Sequence, residues 1–114
     1  MIKVEQINNI YIASFDGVER FNSLVTEPAK EQLNALFTKP DTNLIINLKG
    51  IKYIDSSGFG AFLSVMKTAS INYGHFKLCN MSKEVLDLFR LLQLHNVFEI
   101  YDTEEECIKS FSKK

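Results

Sequence analysis

The chain has 114 residues, 46% of them hydrophobic and 24% charged, with a formal net charge of −1. That is the size and composition of one soluble domain, able to fold around its own core without a disulfide or metal staple. The balanced charge speaks against a general nucleic-acid binder, and no apolar run approaches the roughly 20 residues of a membrane-crossing helix.

The start, Met1-Ile2-Lys3-Val4-Glu5, lacks the basic-then-apolar pattern of a signal peptide. Cys79 and Cys107 form no CxxC pair, so both are expected as reduced core or near-surface thiols of a cytoplasmic protein. From Ile2 to Ile7 apolar and polar residues alternate, as in a half-buried strand. Asn8-Asn9 signals a turn, and Ile10 to Phe15 completes a hairpin. Thr26-Glu27-Pro28 predicts the first turn of a helix with the apolar stripe Ala29, Leu33, Leu36 and Phe37. Pro40-Asp41 ends it.

Leu44 to Leu48 is nearly continuous in apolar residues, which predicts a central strand covered on both faces. Tyr53-Ile54 is a second short apolar piece. Phe59, Phe62, Leu63 and Met66 then recur at helical spacing, and Gly74 is the expected C-terminal cap. Phe76 to Cys79 predicts a strand. Ser82 is placed to cap a helix with the stripe Val85, Leu88, Phe89 and Leu92. Val97 to Tyr101 predicts a last strand. Thr103 and Glu106 form a capping box for a helix carrying Ile108 and Phe111, with Lys113-Lys114 at its end. Strands alternating with helices predict an α/β fold with a mostly parallel sheet of about five strands and about four helices, covered on at least one face.

Catalytic patterns are missing from the sequence. His75 and His95 belong to no metal-ligand motif and are expected on loops or the surface. Gly58-Phe59-Gly60 lacks the third glycine of a dinucleotide fingerprint, and there is no P-loop or nucleophile elbow. Glu104 to Glu106 is explained by the helix cap. No enzyme activity, cofactor or metal is expected.

Asp55-Ser56-Ser57-Gly58 remains, between a short apolar piece and a helix. One reading is a helix cap, with Asp55 or Ser56 accepting from unpaired N–H groups and Gly58 permitting a tight bend. The other is a serine hydroxyl presented for modification. A phosphate on Ser56 brings about −1.5 to −2 charges to a helix N-terminus, where the dipole favours it by ~0.3–1 kcal/mol and Asp55 opposes it. Little refolding is expected, but the same charge inside a partner's interface costs several kcal/mol.

Leu44-Ile45-Ile46-Asn47-Leu48, followed by Tyr53-Ile54-Asp55-Ser56-Ser57-Gly58-Phe59-Gly60-Ala61-Phe62-Leu63, resembles the signature of STAS-domain anti-sigma factor antagonists. The likeness continues through Phe76 to Asn80, the helix with Leu88-Phe89, and Leu94 to Ile100. It implies a STAS fold over residues 1–114 and a role in partner switching. The unphosphorylated antagonist binds a serine-kinase anti-sigma factor and so frees a sigma factor. The kinase phosphorylates the serine after the Asp, and a PP2C-type phosphatase reverses this. Carried over, the phosphorylated residue is Ser56, and Asp55, Ser57, Gly58, Phe59 and Gly60 form the partner-binding turn with it. Phe59 replaces the family's usual Leu and is expected in the core. Arg20 stands where many members carry Asp, and is a candidate cation for a phosphate on Ser56. The alternative function is a STAS scaffold or accessory subunit of a transport or signalling complex that is never phosphorylated.

Overall fold

The computed structural model describes residues 2–112. Strands β1 (Ile2–Ile7) and β2 (Ile10–Phe15) form an antiparallel hairpin. Its two-residue turn places Asn8 at a φ of +57°, a conformation Asn tolerates better than most residues. Strands β4 (Asn43–Asn47), β6 (His75–Cys79) and β7 (Glu99–Tyr101) add to β2 in parallel, giving a five-stranded sheet in the order β1-β2-β4-β6-β7. Two further strands, β3 (Arg20–Phe21) and β5 (Tyr53–Ile54), make a separate two-stranded parallel sheet. The helices are α1 (Ser23–Asn34), α2 (Ser56–Ile71), α3 (Lys83–Leu91) and α4 (Glu104–Ser112). The mostly parallel sheet of five strands and the four helices agree with the sequence reading.

The sheet is covered on both faces, which is why β4 reads as an unbroken apolar run. Ala13, Phe15, Leu44, Ile46 and Leu78 face a large core shared with Leu33 of α1, Phe62 of α2 and Phe89 of α3. Phe62 is its hub, stacking on Phe21 with ring centroids 5.0 Å apart and contacting Phe76, Phe89 and Phe98. The opposite face holds a smaller cluster of Ile10, Ile12, Ile45 and Cys79 under Cys107 of α4. Lys77 is buried on that side. Its Nζ lies 2.8 Å from Ser110 Oγ, 3.6 Å from Glu99 Oε1 and 4.1 Å from the Phe111 ring centroid, so the charge is met on each side.

Several boundaries differ from the sequence reading. Helix α1 starts at Ser23, not after Thr26-Glu27-Pro28, and Pro28 sits inside it. The carbonyl that Pro28 leaves without an N–H is that of Leu24, and Leu24 is exposed, so water can replace the lost bond. The helix ends at Asn34, which leaves Leu36 and Phe37 beyond it; Phe37 still reaches the core from the following turn. Leu63 and Leu92 are exposed rather than core, and Ala61, Val65 and Ala69 take the buried face of α2. Gly74 does not supply the left-handed residue after α2. Tyr73 does, at a φ of +58°, and a Cβ on Gly74 would lie 1.9 Å from the Thr42 carbonyl oxygen. Glycine is required there by the close approach of two chain segments. The last strand is shorter than expected, because Leu94–Asn96 form a 3₁₀ turn and β7 begins at Glu99.

Candidate functional site: a serine presented at the start of helix α2

The small β3–β5 sheet positions the site. Arg20 pairs with Tyr53 and Phe21 with Ile54, and each strand is followed at once by a helix cap, Asn22 for α1 and Asp55 for α2. The parallel register therefore sets the first turns of α1 and α2 side by side. Lys52 and Tyr53 donate their N–H groups to the Glu19 carbonyl, and the Asp55 N–H points to the Phe21 carbonyl at 3.4 Å. Below, Phe21 and Ile54 are fully buried and tie the pair to the large core.

Asp55 Oδ1 accepts from the N–H of Ser57 at 3.0 Å, the N–H of Gly58 at 3.1 Å, and the Ser57 hydroxyl. These bonds favour the charged form. The Ser57 hydroxyl is the largest influence; with the backbone N–H groups it holds the Asp55 carboxyl below its ordinary pKa, against the opposing effect of desolvation. Asp55 is thus an ionised cap, as one reading of the sequence expected. Ser56 is the first residue of the helix and is exposed. Among the described residues, no hydrogen bond engages its hydroxyl. The two serines are therefore unlike: Ser57 is tied to the cap and half-buried, and Ser56 faces solvent.

Gly58 has a different role from the tight bend expected. Its φ is not in the left-handed region, but a Cβ there would lie 2.6 Å from Ile54 Cγ2 and 2.9 Å from the Phe21 carbonyl oxygen. Its lack of a side chain lets α2 seat against β3 and β5. Phe59 is buried, with its ring centroid 5.0 Å from that of Phe89, so it anchors the helix from inside. Gly60 is exposed, and a Cβ there would meet nothing within 4 Å. Ser56, Gly60, Leu63 and Lys67 are all exposed, and their spacing of four, three and four residues forms one stripe along α2.

The sequence reading missed β3 and the start of α1. These place exposed Ser23 and Leu24 beside the first turn of α2, with Leu24 84% exposed. The signal was present in Asn22-Ser23, a capping pair one turn before the buried Thr26. Arg20 lies across the Tyr53 ring, with its guanidinium carbon 5.7 Å from the centroid. Both free cysteines are buried, and the Cys107 thiol together with burial pushes the Cys79 pKa up, so Cys79 is not a poised nucleophile. Among the described residues, no three His, Cys, Asp or Glu side chains gather as metal ligands, and no helix is long and apolar enough to cross a membrane.

Residues 1–107 match the STAS domain model. The chain is 30% identical over 105 residues to the anti-sigma-B factor antagonist of Listeria monocytogenes, covering 92% of this chain and 91% of that one. Its fold is similar to an anti-sigma-factor antagonist (STAS) domain protein from Planctomyces limnophilus, with a TM-score of 0.90, 19% identity and 98% of each chain covered. It is also similar to the Bacillus cell fate determinant SpoIIAA in its phosphorylated form, with a TM-score of 0.70, 20% identity, and 97% of this chain and 99% of that one covered. The chain belongs to the STAS-domain family, in the company of the anti-sigma factor antagonists.

Proposed function

We propose that this protein is a phosphorylation-controlled anti-sigma factor antagonist with Ser56 as its switch. The unphosphorylated form binds a serine-kinase anti-sigma factor, which releases its sigma factor. The observation that carries this reading is the exposed Ser56 hydroxyl at the first turn of α2, beside a Ser57 hydroxyl withdrawn by Asp55. Support also comes from the relative named an anti-sigma-B factor antagonist, and from the similar fold of a protein solved in a phosphorylated form.

The partner docks on the first turns of α2 and α1. Asp55, Ser56, Ser57 and Gly60 supply the polar and open part, and Leu24 and Leu63 supply exposed apolar area. Gly58 and Phe59 act from beneath by fixing the turn. The kinase transfers the γ-phosphoryl group of ATP to Ser56 Oγ. A P–O bond to Oγ forms, the bond to ADP breaks, and the hydroxyl proton leaves to a base on the kinase. Asp55 is poorly suited to be that base, because its lowered pKa makes it a weak proton acceptor and its Oδ1 is already taken by three donors. The phosphate adds about −1.5 to −2 charges next to Asp55. A poorly matched charge at an interface costs on the order of 2–5 kcal/mol, about thirtyfold to several thousandfold in affinity. A PP2C-type phosphatase resets the site by hydrolysis.

The test is to incubate the protein with its kinase and ATP, then map the modified residue by mass spectrometry. Wild type and Ser57→Ala should carry one phosphate on Ser56, and Ser56→Ala none. Ser56→Ala should bind the kinase constitutively and Ser56→Asp weakly. Phosphate on Ser57 instead would refute Ser56 as the switch; no phosphate on the chain, with Ser56→Asp binding as tightly as wild type, would refute the proposal and return the scaffold reading, in which the turn is only a helix cap.

A further inference from the structure

Strand β1 is an open sheet edge. β2 holds one side, and among the described residues no strand lies on the other. Lys3 to Gln6 and Ile7 are all exposed, including Val4 at 40% and Ile7 at 41%. The two-residue turn fixes which backbone groups are free. Ile7 and Ile10 flank the turn as a directly opposed pair, so they must exchange both of their hydrogen bonds. The pattern alternates, so Glu5 and Lys3 also spend their N–H and C=O groups on β2. Gln6, Val4 and Ile2 point theirs outward. No proline or bulge interrupts the strand.

Edges of this kind are usually blunted by charged side chains, lysine above all, by a proline or by a bulge. Here the one lysine is matched by Glu5 two residues on. We propose that β1 pairs antiparallel with β1 of a second copy of this chain, across a two-fold axis through Val4. In this register Val4 faces Val4 of the second copy, and Ile2 faces Gln6. These are the outward-pointing residues, so they form the hydrogen-bonded pairs. Lys3 of each copy faces Glu5 of the other in the non-hydrogen-bonded positions, where side chains come closest. Sliding by two residues one way puts Glu5 against Glu5, and the other way Lys3 against Lys3. The charge pattern thus selects one register and suits a copy of itself. The result is one continuous sheet through both molecules.

The test is sedimentation of the full chain from about 1 µM to about 1 mM, a range that covers weak self-association. A monomer–dimer equilibrium is expected. Lys3→Glu and Glu5→Lys should each weaken it about tenfold, since both symmetric pairs become repulsive. The double variant, Lys3→Glu with Glu5→Lys, restores opposite charges and should recover the wild-type constant. Val4→Pro removes the central outward N–H and should give a monomer; its circular dichroism checks the fold, and the charge reversals decide if it unfolds. A monomer at every concentration would overturn the proposal. So would a dimer indifferent to both charge reversals, or β1 amides protected from exchange only when a different protein is added.

Discussion

Helices α1 and α2 begin in the same way and end up with different uses. Each follows a two-residue strand of one small parallel sheet, and each is capped by an Asx side chain. Asn22 is neutral and accepts one N–H, from Leu24 at 3.1 Å. Asp55 is ionised and accepts two N–H groups and a hydroxyl. The extra acceptor capacity is what separates Ser57 from Ser56. At α1 the cap only closes a helix. At α2 it also chooses which of two adjacent serines is left to solvent, so the same local device becomes a way of presenting one residue.

The harshest way to break this comparison is to unseat α2. Gly58→Ala places a methyl group against Ile54 Cγ2, the Phe21 ring and the Phe21 carbonyl oxygen; the two side chains are packed in the core and the carbonyl moves only with β3. Overpacking of this kind costs about 1–3 kcal/mol, measured by urea unfolding, and should also weaken kinase binding because the first turn is displaced. Gly60→Ala is the control. Its Cβ enters open space, so stability should hold or rise slightly, and only docking should suffer.

Removing the caps comes next. Asn22→Ala should cost about 1 kcal/mol and leave phosphorylation of Ser56 intact. Asp55→Ala should cost more, because three donors lose their acceptor, and it should let the kinase modify Ser57 as well. Acid sharpens the contrast. The Asp55 pKa is lowered in the folded state, so its contribution is complete above the ordinary carboxylate range, near about 4, and is lost as pH falls through the lowered value. The stability gap between wild type and Asp55→Asn should therefore shrink as the pH is taken from about 7 towards 2, and the gap for Asn22→Ala should not. Urea titrations at the two pH values measure both.

The same contrast explains what the sequence revealed. Caps were readable at three of the helix starts: Asp55 and Ser82 accept from N–H groups as expected, and Thr103 accepts from the Glu106 N–H, although the Glu106 carboxylate takes the Thr103 hydroxyl rather than the backbone N–H of a full capping box. Asn22 was hidden by Pro28, which reads locally as a helix start and is tolerated deeper because the freed carbonyl belongs to an exposed turn. Strands β3 and β5 have two residues each, too short to show any period, and their pairing joins distant parts of the chain. Gly58 and Gly74 were legible as glycines but not in purpose, since what they avoid is a contact made in the fold rather than a local angle. Lys77 follows the same logic: it is itself buried, and its partners Glu99, Ser110 and Phe111 come from β7 and α4, which no window around residue 77 contains.

The smallest expected effect on stability is at Ser56 itself. Its hydroxyl has no partner among the described residues, and its side chain faces water, so Ser56→Ala should leave the urea midpoint within about 0.5 kcal/mol of wild type. Ser57→Ala removes a hydroxyl that Asp55 accepts and should be the more costly of the two. Function should rank them the other way, with Ser56→Ala losing all phosphorylation and Ser57→Ala keeping it. A residue that the fold does not use, held in place by a neighbour that the fold does use, is free to change its charge without changing the structure. If Ser56→Ala proved the more destabilising, the hydroxyl would have a structural partner, and the separation between the two serines would fail.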